Sequence, residues 1–118
     1  YAVDNFITSD NTSVQYFVDQ GVIFLNHNIN NELKIDINFD YLISLAGIAS
    51  PYYYKAHPME TLNVSINGLK NMFRLKHNND SKFIFFSSSE IYGDPPADQI
   101  PTKETYRGNV TSVGPRSC

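Results

Sequence analysis

A chain of 118 residues with a formal net charge of −3 has no basic footprint, which argues against nucleic acid or an anionic membrane surface as its partner. It contains no run of about eighteen apolar residues for a membrane span, and its single cysteine, Cys118, rules out an internal disulfide. No His/Cys spacing suggests a metal site, so the expectation is one domain, or part of one, in a reducing compartment such as the cytoplasm.

Tyr1 to Phe6 reads as the end of a strand, followed by Thr8-Ser9-Asp10-Asn11, a polar turn whose side chains suit the start of a helix. Val14, Phe17 and Val18 recur at helical spacing, which predicts a short amphipathic helix over residues 12 to 20 with Gly21 just past its end. Val22 to Leu25 is a second apolar strand, and the asparagine-rich Asn26 to Lys34 is a loop by composition. Tyr41 to Leu45 is a third strand that ends in small residues, Ala46, Gly47, Ala49 and Ser50, where a ligand can approach the backbone.

Pro58 suits the first turn of a helix running to about His77, with Met59, Leu62, Ile66, Leu69 and Phe73 as an apolar stripe for the core or a subunit interface. A turn at Asn78-Asn79-Asp80 leads into Phe83, Ile84, Phe85 and Phe86, too few residues for a helix but suited to a strand buried on both faces of a parallel sheet. The order is strand, helix, strand, strand, helix, strand, which indicates an α/β fold with a doubly wound parallel sheet. The last strand stops in Ser87, Ser88, Ser89 and Glu90, so polar groups gather at the carboxyl end of a strand, where open α/β sheets place their ligands. At the two ends, Tyr1-Ala2-Val3 reads as a strand already in progress and Gly114 to Cys118 as a loop without a closing element, so the chain is expected to be a piece of a longer protein.

Ser87-Ser88-Ser89-Glu90-Ile91-Tyr92-Gly93 resembles the S-[ST]-x-x-[VI]-Y-G segment of the extended short-chain dehydrogenase/reductase family, the NAD-dependent nucleotide-sugar epimerases, dehydratases and decarboxylases. Asp4-Asn5-Phe6-Ile7-Thr8 resembles its D-N-F-x-T, Leu45-Ala46-Gly47-Ile48-Ala49-Ser50-Pro51 its L-A-[AG]-x-A-S-P, and Gly68-Leu69-Lys70-Asn71-Met72 its G-T-x-N-[ML]. The resemblance implies a partial Rossmann-like NAD-binding domain over residues 1–118, without the first strand and its glycine-rich turn and without a C-terminal substrate domain. It implies NAD as cofactor, a nucleotide-sugar as substrate and a homodimer as the assembly.

Residue by residue, the resemblance gives Asp4 and Asn5 to the adenosine ribose, because a carboxylate accepts from both ribose hydroxyls and repels the 2′-phosphate of NADP. Asn28 and Ile29 stand beside the adenine where relatives carry an acid and an apolar residue, and the Asn28 amide oxygen still accepts from an amino group. Leu45, Ala46, Gly47 and Ala49 are implied along the cofactor, with Ser50, Pro51 and Tyr54 toward the sugar nucleotide. Ser65 replaces an Asn common in relatives. Ser88, Ser89 and Glu90 are the implied catalytic residues present, while the family's Y-x-x-x-K does not occur in the chain. Ile100 to Glu104 and Gly114 to Cys118 are similar to the segment preceding that Tyr in UDP-glucuronate decarboxylases, which would place the Tyr next after Cys118.

Dehydratases carry Asp-Glu after the Ser/Thr, whereas this chain carries Ser89-Glu90, as the decarboxylases do, and Ser89 is no comparable acid at neutral pH. The leading reading is decarboxylation of UDP-glucuronate. A nucleotide-sugar 4-epimerase or dehydratase and a non-catalytic NAD-binding protein on the same fold remain open alternatives, as does an unrelated flavodoxin-like domain.

Overall fold

The computed structural model describes residues 1–76 and 80–113. The expected helix end at His77, the Asn78-Asn79 turn and the Gly114 to Cys118 segment lie outside the described residues. The chain divides into two compact units, Tyr1–Phe85 and Phe86–Cys118.

In the first unit, β1 (Ala2–Asp4) pairs in parallel with β2 (Phe24–Asn26), with Val3 opposite Leu25. Between them runs α1 (Val14–Asp19). Its entry is organised by Asp10, whose Oδ1 accepts the Thr12 N–H at 3.0 Å, while Ser13 at the cap position makes no side-chain cap hydrogen bond. Gly21 follows with φ +91°, as expected for the residue that reverses the chain after a helix. The second strand begins two residues later than its apolar run predicts, because Val22 N–H is drawn back to the Phe17 carbonyl at 3.1 Å.

β3 (Tyr41–Ser44) pairs in parallel with β4 (Lys82–Phe85), Leu42 opposite Phe83. The two strand pairs form separate two-stranded sheets, and no hydrogen-bond ladder among the described residues joins β1 to β3. β4 therefore departs from the expectation of burial on both faces. Ile84 and Phe85 are 41% and 51% exposed, because the only described neighbour strand is β3.

The predicted order of strands and helices holds, with one addition. α2 (Pro51–Ala56) begins with Pro51 in its first turn, in a segment read from sequence only for its likeness to a ligand-side stretch. The long helix is continuous but not uniform: α3 (Pro58–Asn63) passes through a wide π turn, Val64–Gly68, into α4 (Leu69–Arg74). Thr61 and Ser65 spend their hydroxyls within it, donating to the His57 carbonyl at 2.8 Å and the Thr61 carbonyl at 3.0 Å.

The face this helix buries is not the one its apolar stripe suggested. Thr61, Gly68, Asn71 and Leu75 are buried, whereas Met59, Leu62, Ile66 and Phe73 are exposed. Small and polar residues face inward because α4 packs on β3 and against the loop after β2, where a close approach needs Gly68 rather than a large side chain. The apolar core is accordingly modest, consisting of Ile29, Leu42, Tyr54 and Leu75.

The second unit begins with a 3₁₀ turn at Ser89–Tyr92 and contains another at Ala97–Gln99. Its backbone is closed by a parallel bridge between Gly93 and Asn109. Asn109 N–H donates to the Tyr92 carbonyl at 2.9 Å and Asp94 N–H to the Asn109 carbonyl at 3.2 Å.

Candidate functional site

β1 and β2 run in parallel and release polar loops at one edge of their sheet, and the small-residue loop after β3 joins them in the lining of one cavity. A cleft of ≈ 590 Å³ is lined by β1 and β3 along their whole length as well as by the loops that follow them, a volume within the range of small-molecule sites. Among the residues lining it are Asp4 and Asn5 after β1, Asn28 and Ile29 after β2, and Leu45, Ala46 and Gly47 after β3. Seven positions singled out from sequence, drawn from three segments far apart in the chain, thus share one cavity.

Local hydrogen bonding explains the shape of each loop. Asp4 Oδ1 accepts the Phe6 N–H at 2.7 Å, closing a turn that holds Phe6 at φ 57° and stacks its ring on Phe24 with centroids 5.4 Å apart. The carboxylate is exposed, and its second oxygen keeps acceptor capacity for a ligand. Asn5 Oδ1 takes the Ile7 N–H at 3.3 Å in the same way. On the second loop Asn28 Oδ1 accepts the Asn30 N–H at 3.0 Å, which occupies one of its two lone pairs.

On the third loop, a Cβ built on Gly47 meets nothing within 4 Å, so the backbone there is open to a close-lying ligand. Ala49, Ser50 and Pro51 are exposed beyond that edge and are not among the residues lining the cleft. Tyr54 is turned inward at 7% exposure, while Tyr52 is exposed and rests edge-on against Tyr53. Glu60, on the first turn of α3, also lines the cleft. Sequence reasoning missed it because attention went to the apolar side of that helix, although Glu60 and Val64 stand one turn apart on the side that meets the cleft.

In the second unit Ser88 precedes the 3₁₀ turn as its cap, with Oγ accepting the Glu90 N–H at 3.3 Å. That bond uses the oxygen as acceptor and leaves the hydroxyl proton for another partner. Ser89 and Glu90 are the first residues of the turn and, like Ser88, are exposed. The turn ends at Gly93, φ 65°, directly against the Asn109 backbone. Among the described residues no cluster of His, Cys, Asp and Glu has metal-binding geometry, and no helix is long and apolar enough to cross a membrane.

A family model described as the NAD dependent epimerase/dehydratase family matches residues 2–117. UDP-glucuronic acid decarboxylase 1 of Arabidopsis thaliana is 35% identical over 117 residues, covering 98% of this chain and 26% of that protein. UDP-glucuronic acid decarboxylase 2 of the same plant is 36% identical, with 98% of this chain and 25% of the relative covered. UDP-glucuronic acid decarboxylase 1 of Danio rerio is 34% identical, over 98% of this chain and 27% of the relative. The chain thus spans about a quarter of the length of these curated relatives.

Proposed function

The chain belongs to the NAD dependent epimerase/dehydratase family, and on that footing we propose that it is part of the NAD-binding, Rossmann-like domain of an enzyme that decarboxylates UDP-glucuronate. The observation that carries the reading is the single cleft shared by Asp4, Asn5, Asn28, Ile29, Leu45, Ala46 and Gly47. Its donor set suits a dinucleotide. An exposed carboxylate with a spare oxygen accepts from a ribose diol, an asparagine amide faces an adenine edge, and an open glycine backbone leaves room for the chain between them. Ala49, outside the cleft lining, would meet the cofactor only where it extends past Gly47 and Ile48.

NAD, when bound, supplies the hydride exchange at C4 of the sugar that lets the neighbouring carboxylate depart as carbon dioxide. The proton lost from the C4 hydroxyl would pass to the Tyr of the family's Y-x-x-x-K, which these residues do not include, while the chain's own residues hold the substrate and return a proton to C5. Ser88, whose hydroxyl proton remains available, donates to the C4 oxygen. Ser89 orients the carboxylate that leaves, and Glu90 carries the proton returned to C5. Ser50 and Pro51, at the start of α2, border the sugar nucleotide, with Tyr54 packed beneath them. The Ser89-Glu90 pair favours this reaction over dehydration, and the decarboxylase relatives favour it over epimerisation.

The exposed Met59, Leu62, Ile66 and Phe73 support a homodimer formed on that helix face. Cytoplasmic location remains part of the same proposal.

The deciding experiment is incubation of the intact protein with UDP-glucuronate and NAD, followed by measurement of carbon dioxide and of a UDP-pentose. Release of both is the expected result. NAD binding without carbon dioxide release from any nucleotide uronate would overturn the decarboxylase reading.

A further inference from the structure

An asparagine inside a helix is a poor choice on propensity, and a buried one needs partners for its amide. Asn71, on α4, is 7% exposed and has both. Its Nδ2 donates to the Ile29 carbonyl at 2.9 Å, across 42 positions of sequence. Its Oδ1 accepts from Arg74 Nη1 at 3.2 Å. The guanidinium cannot accept a hydrogen bond, so it fixes which end of the amide faces it and leaves the NH₂ for Ile29.

Gly68 stands three residues earlier on the same face, and a Cβ there would meet Ile29 Cγ2 at 3.1 Å and Asn30 Oδ1 at 3.6 Å. The helix therefore approaches this loop closely and bonds to its backbone. The loop itself is stiffened from within, Asn28 accepting Asn30 N–H through its side chain at 3.0 Å and Asn31 N–H through its carbonyl at 2.9 Å. Those bonds hold its shape but do not tie it to the helix. The same loop, with Val64 and Met72 of the long helix, lines the cleft through Asn28, Ile29 and Asn30.

We propose that Asn71 is a positioning residue for the cofactor, a clamp that ties the Asn28–Ile29 loop to α4 and so fixes the wall against which the adenine end of the dinucleotide rests. The inference rests on the reading of the cleft as an NAD site. Asn71 does not reach the sugar chemistry, and its effect is confined to cofactor affinity.

The test uses the intact protein and three readouts, namely the dissociation constant for NAD, that for UDP-glucuronate, and the thermal midpoint. Asn71→Leu strands the Ile29 carbonyl, and about a tenfold loss of NAD affinity is expected from one buried hydrogen bond, with UDP-glucuronate affinity unchanged. Gly68→Ala guards against a folding defect. It keeps Asn71, favours the helix and pushes on Ile29, so it too should weaken NAD binding, without lowering the thermal midpoint. Wild-type NAD affinity in both variants overturns the clamp. Equal losses of NAD affinity, UDP-glucuronate affinity and thermal midpoint in both variants overturn it as well, because the role would then be merely structural. Failure of the unmodified protein to bind NAD instead overturns the reading of the cleft on which the clamp depends.

Discussion

Replacing Gly93 by alanine tests how firmly the Ser89–Tyr92 turn is held. A Cβ built there would run into the Asn109 carbonyl oxygen and lie 2.5 Å from its carbon and 2.8 Å from Val110 N. All three obstacles are backbone, so no side-chain rotation relieves them, and the backbone at φ 65°, ψ −123° is a sparsely populated one that adds roughly 1–3 kcal/mol for an L-residue. Relief requires parting the two segments. That sacrifices the Asn109 N–H bond to the Tyr92 carbonyl and the Asp94 N–H bond to the Asn109 carbonyl, each contributing about 1 kcal/mol. Roughly 3–5 kcal/mol should be lost locally, or about two to four orders of magnitude in the opening equilibrium. Amide hydrogen exchange at Asp94 and Asn109 in the intact protein reads that opening directly. Because Gly93 directly follows the 3₁₀ turn that carries Ser89 and Glu90, turnover should fall as well. NAD affinity should hold, since the cleft is lined by residues of the first unit alone. Unchanged protection at both amides would refute the close-approach argument.

Asp4→Asn keeps an oxygen to accept the Phe6 N–H but removes the charge, so NAD should bind about tenfold more weakly and the preference over NADP should shrink; calorimetry giving an unaltered NAD/NADP ratio would remove Asp4 from the site. Ile66→Glu puts a charge in the exposed stripe with Met59, Leu62 and Phe73 and should shift the intact protein toward monomer, as read by sedimentation, whereas a mass that is monomeric before the change would remove the dimer reading. The Thr12 hydroxyl, and after it the Thr12 N–H, hold the Asp10 carboxyl below its usual value. Since the folded value is the lower one, this stabilisation is present above the unfolded pKa and is lost as pH falls through the folded one. Thr12→Val should return Asp10 toward the usual carboxylate range in an NMR titration, and no change would show that the hydroxyl is not the cause.

The parts of this molecule that were legible in the sequence are those where one residue type answers one local demand. Apolar runs marked β3 and β4 to within a residue or so, Gly21 marked the end of α1, and the Asp4, Asn28 and Gly47 loops gathered in one cleft as the parallel order of strands requires. α2 was missed although Ser50-Pro51 is an ordinary helix opening, because the same residues matched a ligand-side segment and were read only for that. Burial of β4 on both faces was wrong for another reason. An apolar run tells which residues tolerate burial, while the number of neighbouring strands decides whether they receive it.

The long helix shows where periodicity misleads. Met59, Leu62, Ile66 and Phe73 of its apolar stripe are exposed, while its inward stripe of Thr61, Val64, Gly68, Asn71 and Leu75 mixes polar, small and apolar residues and stands out less by composition. What turns those residues inward is the distance to the loop after β2. At a Gly68 Cβ-to-Ile29 separation of 3.1 Å there is no room for leucine, and a backbone carbonyl at that interface demands a donor, which Asn71 supplies. Hydrophobic patterning finds faces that exclude water but is blind to faces that bond to backbone. The elements that hold a ligand-bearing loop in place belong to the second kind, so the clamp at Asn71 becomes visible only once Ile29 is seen beside it.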